Sequence, residues 1–112
     1  MSTMRNSVTL VGRPGAEPEV KSFSNNKMAR FRIAVDERRM NANREWVNDT
    51  QWFTIVAWGK VAERVENNVH KGLQVAVEGS LRNNDWTDDK GLRHSSTEIW
   101  INDLLTIDRP KN

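Results

Sequence analysis

The sequence contains no cysteine, which excludes a disulfide framework, a thiol nucleophile and a cysteine zinc site. It has no apolar run near the roughly 20 residues of a membrane span. The opening Met1-Ser2-Thr3-Met4-Arg5-Asn6 lacks a signal-peptide core, so the expected compartment is the cytoplasm. Asn48-Asp49-Thr50 fits a glycosylation pattern, which without secretion is read as chance. No glycine-rich phosphate loop is present either. Neither sign of charge dominates: Lys and Arg total 17 against 15 Asp and Glu, a formal net charge of +2. A near balance gives little electrostatic support for a nucleic-acid partner unless the cations cluster locally.

What remains is a chain of 112 residues, 37% hydrophobic and 29% charged. That is enough for one folded domain with a modest core. Its most informative segment is Trp52-Phe53-Thr54-Ile55-Val56-Ala57-Trp58. As a strand it sends alternate side chains to opposite faces. Phe53, Ile55 and Ala57 suit a core, while Trp52, Thr54, Val56 and Trp58 share the other face. The two indoles then lie roughly 20 Å apart. A second aromatic face needs another protein layer or a flat apolar ligand. Nucleobases are such a ligand, and each stacks on an aromatic side chain with about 1–3 kcal/mol.

The remaining elements follow from periodicity. Val8–Gly12, Glu19–Phe23 and Met28–Asp36 read as strands, the first ended by the turn signal Arg13-Pro14-Gly15. Residues 37–50 show no period and read as a mobile loop carrying Trp46. Val61, Ala62, Val65 and Val69 form a helical stripe, with His70 and Lys71 in its last turn and Gly72 as C-cap. Leu73–Arg82 and Ser96–Asn102 are strands again, separated by a polar hairpin with Trp86 and a turn at Asp88-Asp89-Lys90-Gly91. One helix between the third and fourth long strands, without βαβ alternation, predicts an all-β, five-stranded Greek-key barrel of the OB type. The expected domain covers residues 1–108, leaving a short C-terminal stub at 109–112.

Several segments now carry a resemblance. Asn6–Arg13, Pro18-Glu19-Val20, Thr50-Gln51-Trp52, Trp58-Gly59-Lys60, Ala62-Glu63, Lys71-Gly72, Val77–Arg82 and Trp86-Thr87-Asp88 together resemble the bacterial single-stranded DNA-binding proteins, over about residues 6–107. The resemblance implies an OB domain that assembles as a homotetramer and wraps single-stranded DNA. Its stacking aromatics fall on Trp52, Trp58 and Trp86. Its phosphate-neutralising cations fall on Lys21, Lys60, Lys71 and Arg82. The implied role is sequence-nonspecific binding and protection of single strands in replication, recombination, repair or DNA uptake. It needs no cofactor, metal or catalysis, and implies a nucleoid-associated cytoplasmic protein without membrane contact.

Three departures from the family pattern matter. Where relatives carry a further stacking aromatic, this chain has Arg38-Arg39-Met40, and an arginine such as Arg39 stacks through its guanidinium plane. Asn83, Asn84 and Asp85 replace basic residues ahead of the hairpin tryptophan. The sequence stops at Asn112 without the acidic-hydrophobic tail of relatives, as in either a tailless paralogue or a trimmed chain, and tail-dependent replication and repair partners are not expected to be recruited.

Blander readings stand beside these. Arg30 and Arg32 belong to a solvated strand face or to a phosphate track. Trp46 is undecided between solvent and DNA, whereas Trp100, between Ile99 and Ile101, is assigned to packing or an interface. Phe53 faces the core side. Asp85, Asp88, Asp89, His94, Glu98 and Asp103 raise a metal-dependent nuclease, but turn chemistry accounts for the acids and no ligand spacing appears. The non-enzymatic alternative is an OB adaptor that docks protein or RNA, since the fold alone does not choose among functions.

Overall fold

Apolar side chains at every second residue of Ala29–Val35 and Phe53–Ala57 give two neighbouring strands one shared buried face. The computed structural model describes residues 5–107, so the expected stub at 109–112 lies outside the described residues. The elements run β1 (Val8–Pro14), β2 (Glu19–Phe23), β3 (Asn26–Met40), β4 (Trp46–Trp58), α1 (Gly59–Asn68), β5 (Val75–Thr87) and β6 (Arg93–Thr106). Their lateral order is β1-β5-β6-β4-β3-β2, and a second pairing of β1 with β3 closes the sheet. Among the described residues only β4 and β6 pair in parallel, at Ile55–Ile99 and Val56–Trp100.

Six labelled strands make five staves. β1 meets β3 at Arg13–Ala34 and Pro14–Ile33, and β2 continues along the same strand from Glu19–Arg30. The break between them, residues 15–18, follows Pro14 and ends on Pro18, neither of which has an N–H for a ladder. The fold is the expected five-stranded OB barrel, its helix following β4. Ile33, Ile55, Val65, Val69, Val75 and Val77 are fully buried inside it, each contributing about 1.5–3 kcal/mol of transfer free energy. The helix supplies Ala62 and Val65 and packs against β3, β4 and β6.

The structure corrects three expectations. Residues 37–50 are not a loop: β3 and β4 stay paired out to Met40–Trp46, with a turn only at residues 41–45. Cross-strand polar contacts replace the missing apolar period, with Thr50 Oγ1 donating to Asp36 at 2.9 Å and Arg39 pairing with Asp49 at 3.3 Å. Residues 83–94 are likewise mostly ladder, β5 and β6 remaining paired out to Thr87–Arg93. Finally, α1 ends at Asn68 with Val69 extended, so His70 and Lys71 lie beyond its last turn. Gly72 (φ +83°) serves the following turn, where Leu73 N–H donates to His70 C=O.

Both hairpin tips use one device. Asn41 Oδ1 accepts the N–H groups of Asn43 and Glu45, and Asp88 Oδ1 accepts those of Lys90 and Leu92, each at 2.9 Å. The fourth residue of each turn is left-handed: Arg44 at φ 63° and Gly91 at φ 80°.

Candidate nucleic-acid interface

Direct cross-strand partners share a face, so register alone assembles the surface. Trp58 pairs with Met28, Val56 with Arg30, Thr54 with Arg32, Trp52 with Ala34 and Trp46 with Met40. Val56 also pairs with Trp100, which pairs with Ser80; Glu98 pairs with Arg82 and His94 with Trp86. All five tryptophans of the sequence therefore lie on one outer face crossing β4, β6 and β5. Trp46, Trp52, Trp58 and Trp86 are exposed large apolar side chains, at 60%, 48%, 37% and 50%. Phe53, Ile55 and Ala57 face the core.

Each indole has a distinct setting. Trp52 has the Arg32 guanidinium 5.2 Å from its ring centroid and rests beside Gly15, where a Cβ would come within 2.8 Å of the indole. A cleft of about 380 Å³ opens there, lined by Gly15, Ala16, Glu17, Glu19, Arg30, Phe31, Arg32 and Trp52. Glu17 ties the post-helix loop to its rim, accepting the Lys71 N–H at 2.7 Å and contacting His70 Nδ1 at 3.1 Å. The Lys71 N–H, followed by the His70 contact, holds the Glu17 carboxyl below its ordinary pKa. Trp46 has Arg38 5.5 Å from its centroid.

Trp58 and Trp100 meet with centroids 5.5 Å apart and a 54° tilt. The Arg82 guanidinium lies 4.1 Å over the Trp100 ring. Trp100 Nε1 donates to Glu98 Oε1 at 3.2 Å, as does Asn84 Nδ2 at 2.7 Å. Arg30 holds the other Glu98 oxygen at 2.8 Å. Glu98 is the one buried charged residue among those described, at 4% exposure, and these three donors satisfy it. Trp86 stacks on His94 at 5.3 Å with planes 19° apart. His94 Nε2 in turn meets Asp88 Oδ2 at 2.7 Å. That bond first, then the Leu92 and Lys90 N–H groups, holds the Asp88 carboxyl below its ordinary value.

Register brings Trp52, Trp58, Trp86, Arg30, Arg32 and Arg82 onto this face. Lys21, paired with Met28, joins its edge. Lys60 sits in the first turn of α1, beside a groove with Phe23, Asn26 and Lys27 at the barrel end. Lys71 occupies the loop at the cleft rim. Arg39 is not brought in: it pairs with Val47 across the ladder and bonds Asp49 on the opposite hairpin face. Arg38, its neighbour, is the arginine over Trp46. Trp100, expected to pack or to meet an interface, faces outward on the same surface, and alternation against the inward Ile99 and Ile101 is the signal for it.

Among the described residues, no group of three or more His, Cys, Asp or Glu side chains is arranged to hold a metal ion. No helix among them is long and apolar enough to cross a membrane. The model of the single-strand binding protein family matches residues 5–107. The chain belongs to this family. Its relatives include single-stranded DNA-binding protein 1 of Synechocystis, 39% identical over 101 residues, covering 88% of this chain and 80% of the relative. The single-stranded DNA-binding protein of Treponema pallidum is also 39% identical, over 95 residues, and the match covers 84% of this chain and 53% of that one. Among solved structures, the Plasmodium falciparum SSB complex with ssDNA superposes with a TM-score of 0.86 at 29% identity. That alignment covers 96% of this chain and 99% of the other. The family's fold is thus the barrel described above.

Proposed function

We propose that this protein binds single-stranded DNA without sequence preference and protects transiently exposed strands during replication, recombination, repair or DNA uptake. The observation that carries this reading is the placement of all five tryptophans on one outer face. Family membership and the superposition on an SSB complex with ssDNA support it. Trp52, Trp58 and Trp86 stack bases, which share a π-face and so give little sequence preference. Lys21, Lys60, Lys71 and Arg82 neutralise phosphates, releasing counterions and making affinity fall with salt. Arg30, Arg32 and Trp46 border the same path.

The protein acts by binding alone, as a homotetramer. Exposed Val11, Leu105 and Ile107 on β1, β6 and the segment after it support self-association. The test is intrinsic tryptophan fluorescence during titration with a long thymidine oligonucleotide at several salt concentrations. Saturable quenching that weakens with salt is expected. A folded protein showing no quenching overturns the stacking assignment and makes the tryptophans a protein-docking surface.

A further inference from the structure

The three stacking tryptophans leave Trp100 and the space between Trp58 and Trp86 without a task. Trp100 points outward, is fixed at its Nε1 by the buried Glu98, and has one face under the Arg82 guanidinium. Arg82 stands directly across the ladder from Glu98, yet Glu98 bonds Arg30 and Arg82 takes the indole instead. Among the described residues Arg82 has no carboxylate partner, and it is exposed. Trp58, Trp100 and Arg82 thus form a row across β4, β6 and β5, and Trp86 follows four residues along β5, roughly 13 Å further.

We propose that Arg82, backed by Trp100, is a further nucleobase platform whose stacking surface is the guanidinium itself. This rests on the single-stranded DNA reading and adds a stacking contact to the charge already given to Arg82. A guanidinium is planar, weakly hydrated and stacks on π-faces, whereas a lysine ammonium carries the same charge without a plane. Trp100 and Glu98 act as positioning residues: one supports the guanidinium from beneath, the other holds the indole edge.

The test compares wild type with Arg82→Lys on two probes of equal length, an oligothymidylate and an abasic deoxyribose-phosphate strand. If the guanidinium stacks, Arg82→Lys loses about fivefold or more in affinity for oligothymidylate, the low end of one stacking contact. Its affinity for the abasic strand and its salt slope stay at the wild-type values. Trp100→Leu produces the same base-selective loss with Arg82 intact, provided circular dichroism shows it folded. Arg82→Lys needs no such proviso, because it changes only an exposed side chain. Equal affinity of Arg82→Lys and wild type for oligothymidylate overturns the inference while leaving the proposed function standing. So does an equal loss on both strands, which marks a phosphate contact alone. A folded wild type that binds neither strand removes both.

Discussion

Replacing Glu98 by Gln is expected to separate stability from DNA affinity in opposite directions. The substitution keeps the shape and one carbonyl oxygen, so Asn84 Nδ2 and Trp100 Nε1, now 2.7 and 3.2 Å from Oε1, retain an acceptor. The new amide N–H₂ faces Arg30, which sits 2.8 Å from Oε2; donor meets donor and the guanidinium turns away. A charge-assisted hydrogen bond is worth about 1.5–3 kcal/mol. Arg30 is 48% exposed and regains water when released, which lowers the expected cost to about 1–2 kcal/mol. At roughly 4–8 °C per kcal/mol for domains of similar size, melting falls by about 4–16 °C at fixed protein concentration. On the DNA side, a negative charge disappears from the tryptophan face and a cation is freed for phosphate. Affinity at low salt should rise, and the salt slope should steepen by roughly 0.7 for one added contact. Calorimetry and fluorescence titration read the two quantities on one preparation. Lower affinity with unchanged melting would refute the reasoning, because loss of the Glu98 charge would then neither cost an ion pair nor release Arg30 for phosphate.

Four further outcomes follow from the geometry. Trp52→Ala should cost about 1–3 kcal/mol per site in oligothymidylate binding, measured by anisotropy; unchanged affinity removes Trp52 from the binding face. Arg44→Gly should raise stability by about 0.5–1 kcal/mol, because Arg44 is held at φ 63° where the sister turn uses Gly91. A urea midpoint that falls instead would contradict strain at Arg44. Gly79→Ala should destabilise by about 1–3 kcal/mol or more, since a Cβ there overlaps the Trp100 carbonyl oxygen and lies 2.6 Å from Ile101 Cα; wild-type stability would mean that β6 shifts freely. Asp88 is depressed mainly by its His94 bond and then by the Leu92 and Lys90 N–H groups. Its support of the hairpin turn is therefore complete above the unfolded carboxylate pKa of about 3.9 and fades as pH drops through the lower folded value. The Lys90 and Leu92 amide shifts, followed by NMR, should titrate with a midpoint below about 3.9, and a midpoint at or above it sinks the assignment.

Where a strand buries one face, the sequence was legible. Ala29, Phe31, Ile33 and Val35 alternate with polar residues, and Ile55 and Ala57 do the same across the ladder, so register and inward face follow from a period of two. The helix stripe was equally clear, because Ala62, Val65 and Val69 meet a core. Its end was not. His70 and Lys71 suit a last turn by charge, but Glu17 takes the Lys71 N–H and contacts the His70 ring, and that tertiary contact overrides the local preference. The five-stave barrel follows from element order, while the break at residues 15–18 that lets β1 and β2 share β3 depends on pairings that no local pattern announces.

The unread regions have a common cause. Residues 37–40, 46–50, 83–87 and 93–95 are strand residues without a buried face on either side, so they carry no apolar period for a pattern to detect. Backbone ladder holds them, together with cross-strand pairs such as Thr50 with Asp36 and Thr97 with Asn83 at 3.0 Å, each worth about 0.2–1 kcal/mol. Such arms have a reason to exist beyond folding. They carry Trp46 and Trp86, with Arg38 and His94 against them, to positions the barrel wall does not reach. A face built only on the wall would end at Trp52, Trp58 and Trp100. The strands are therefore hard to read from sequence in the segments where no side chain is spent on a core. Trp86 stays visible because an indole in a polar hairpin has no folding role to account for it, whereas Trp46, in a stretch without period, is left undecided by the sequence.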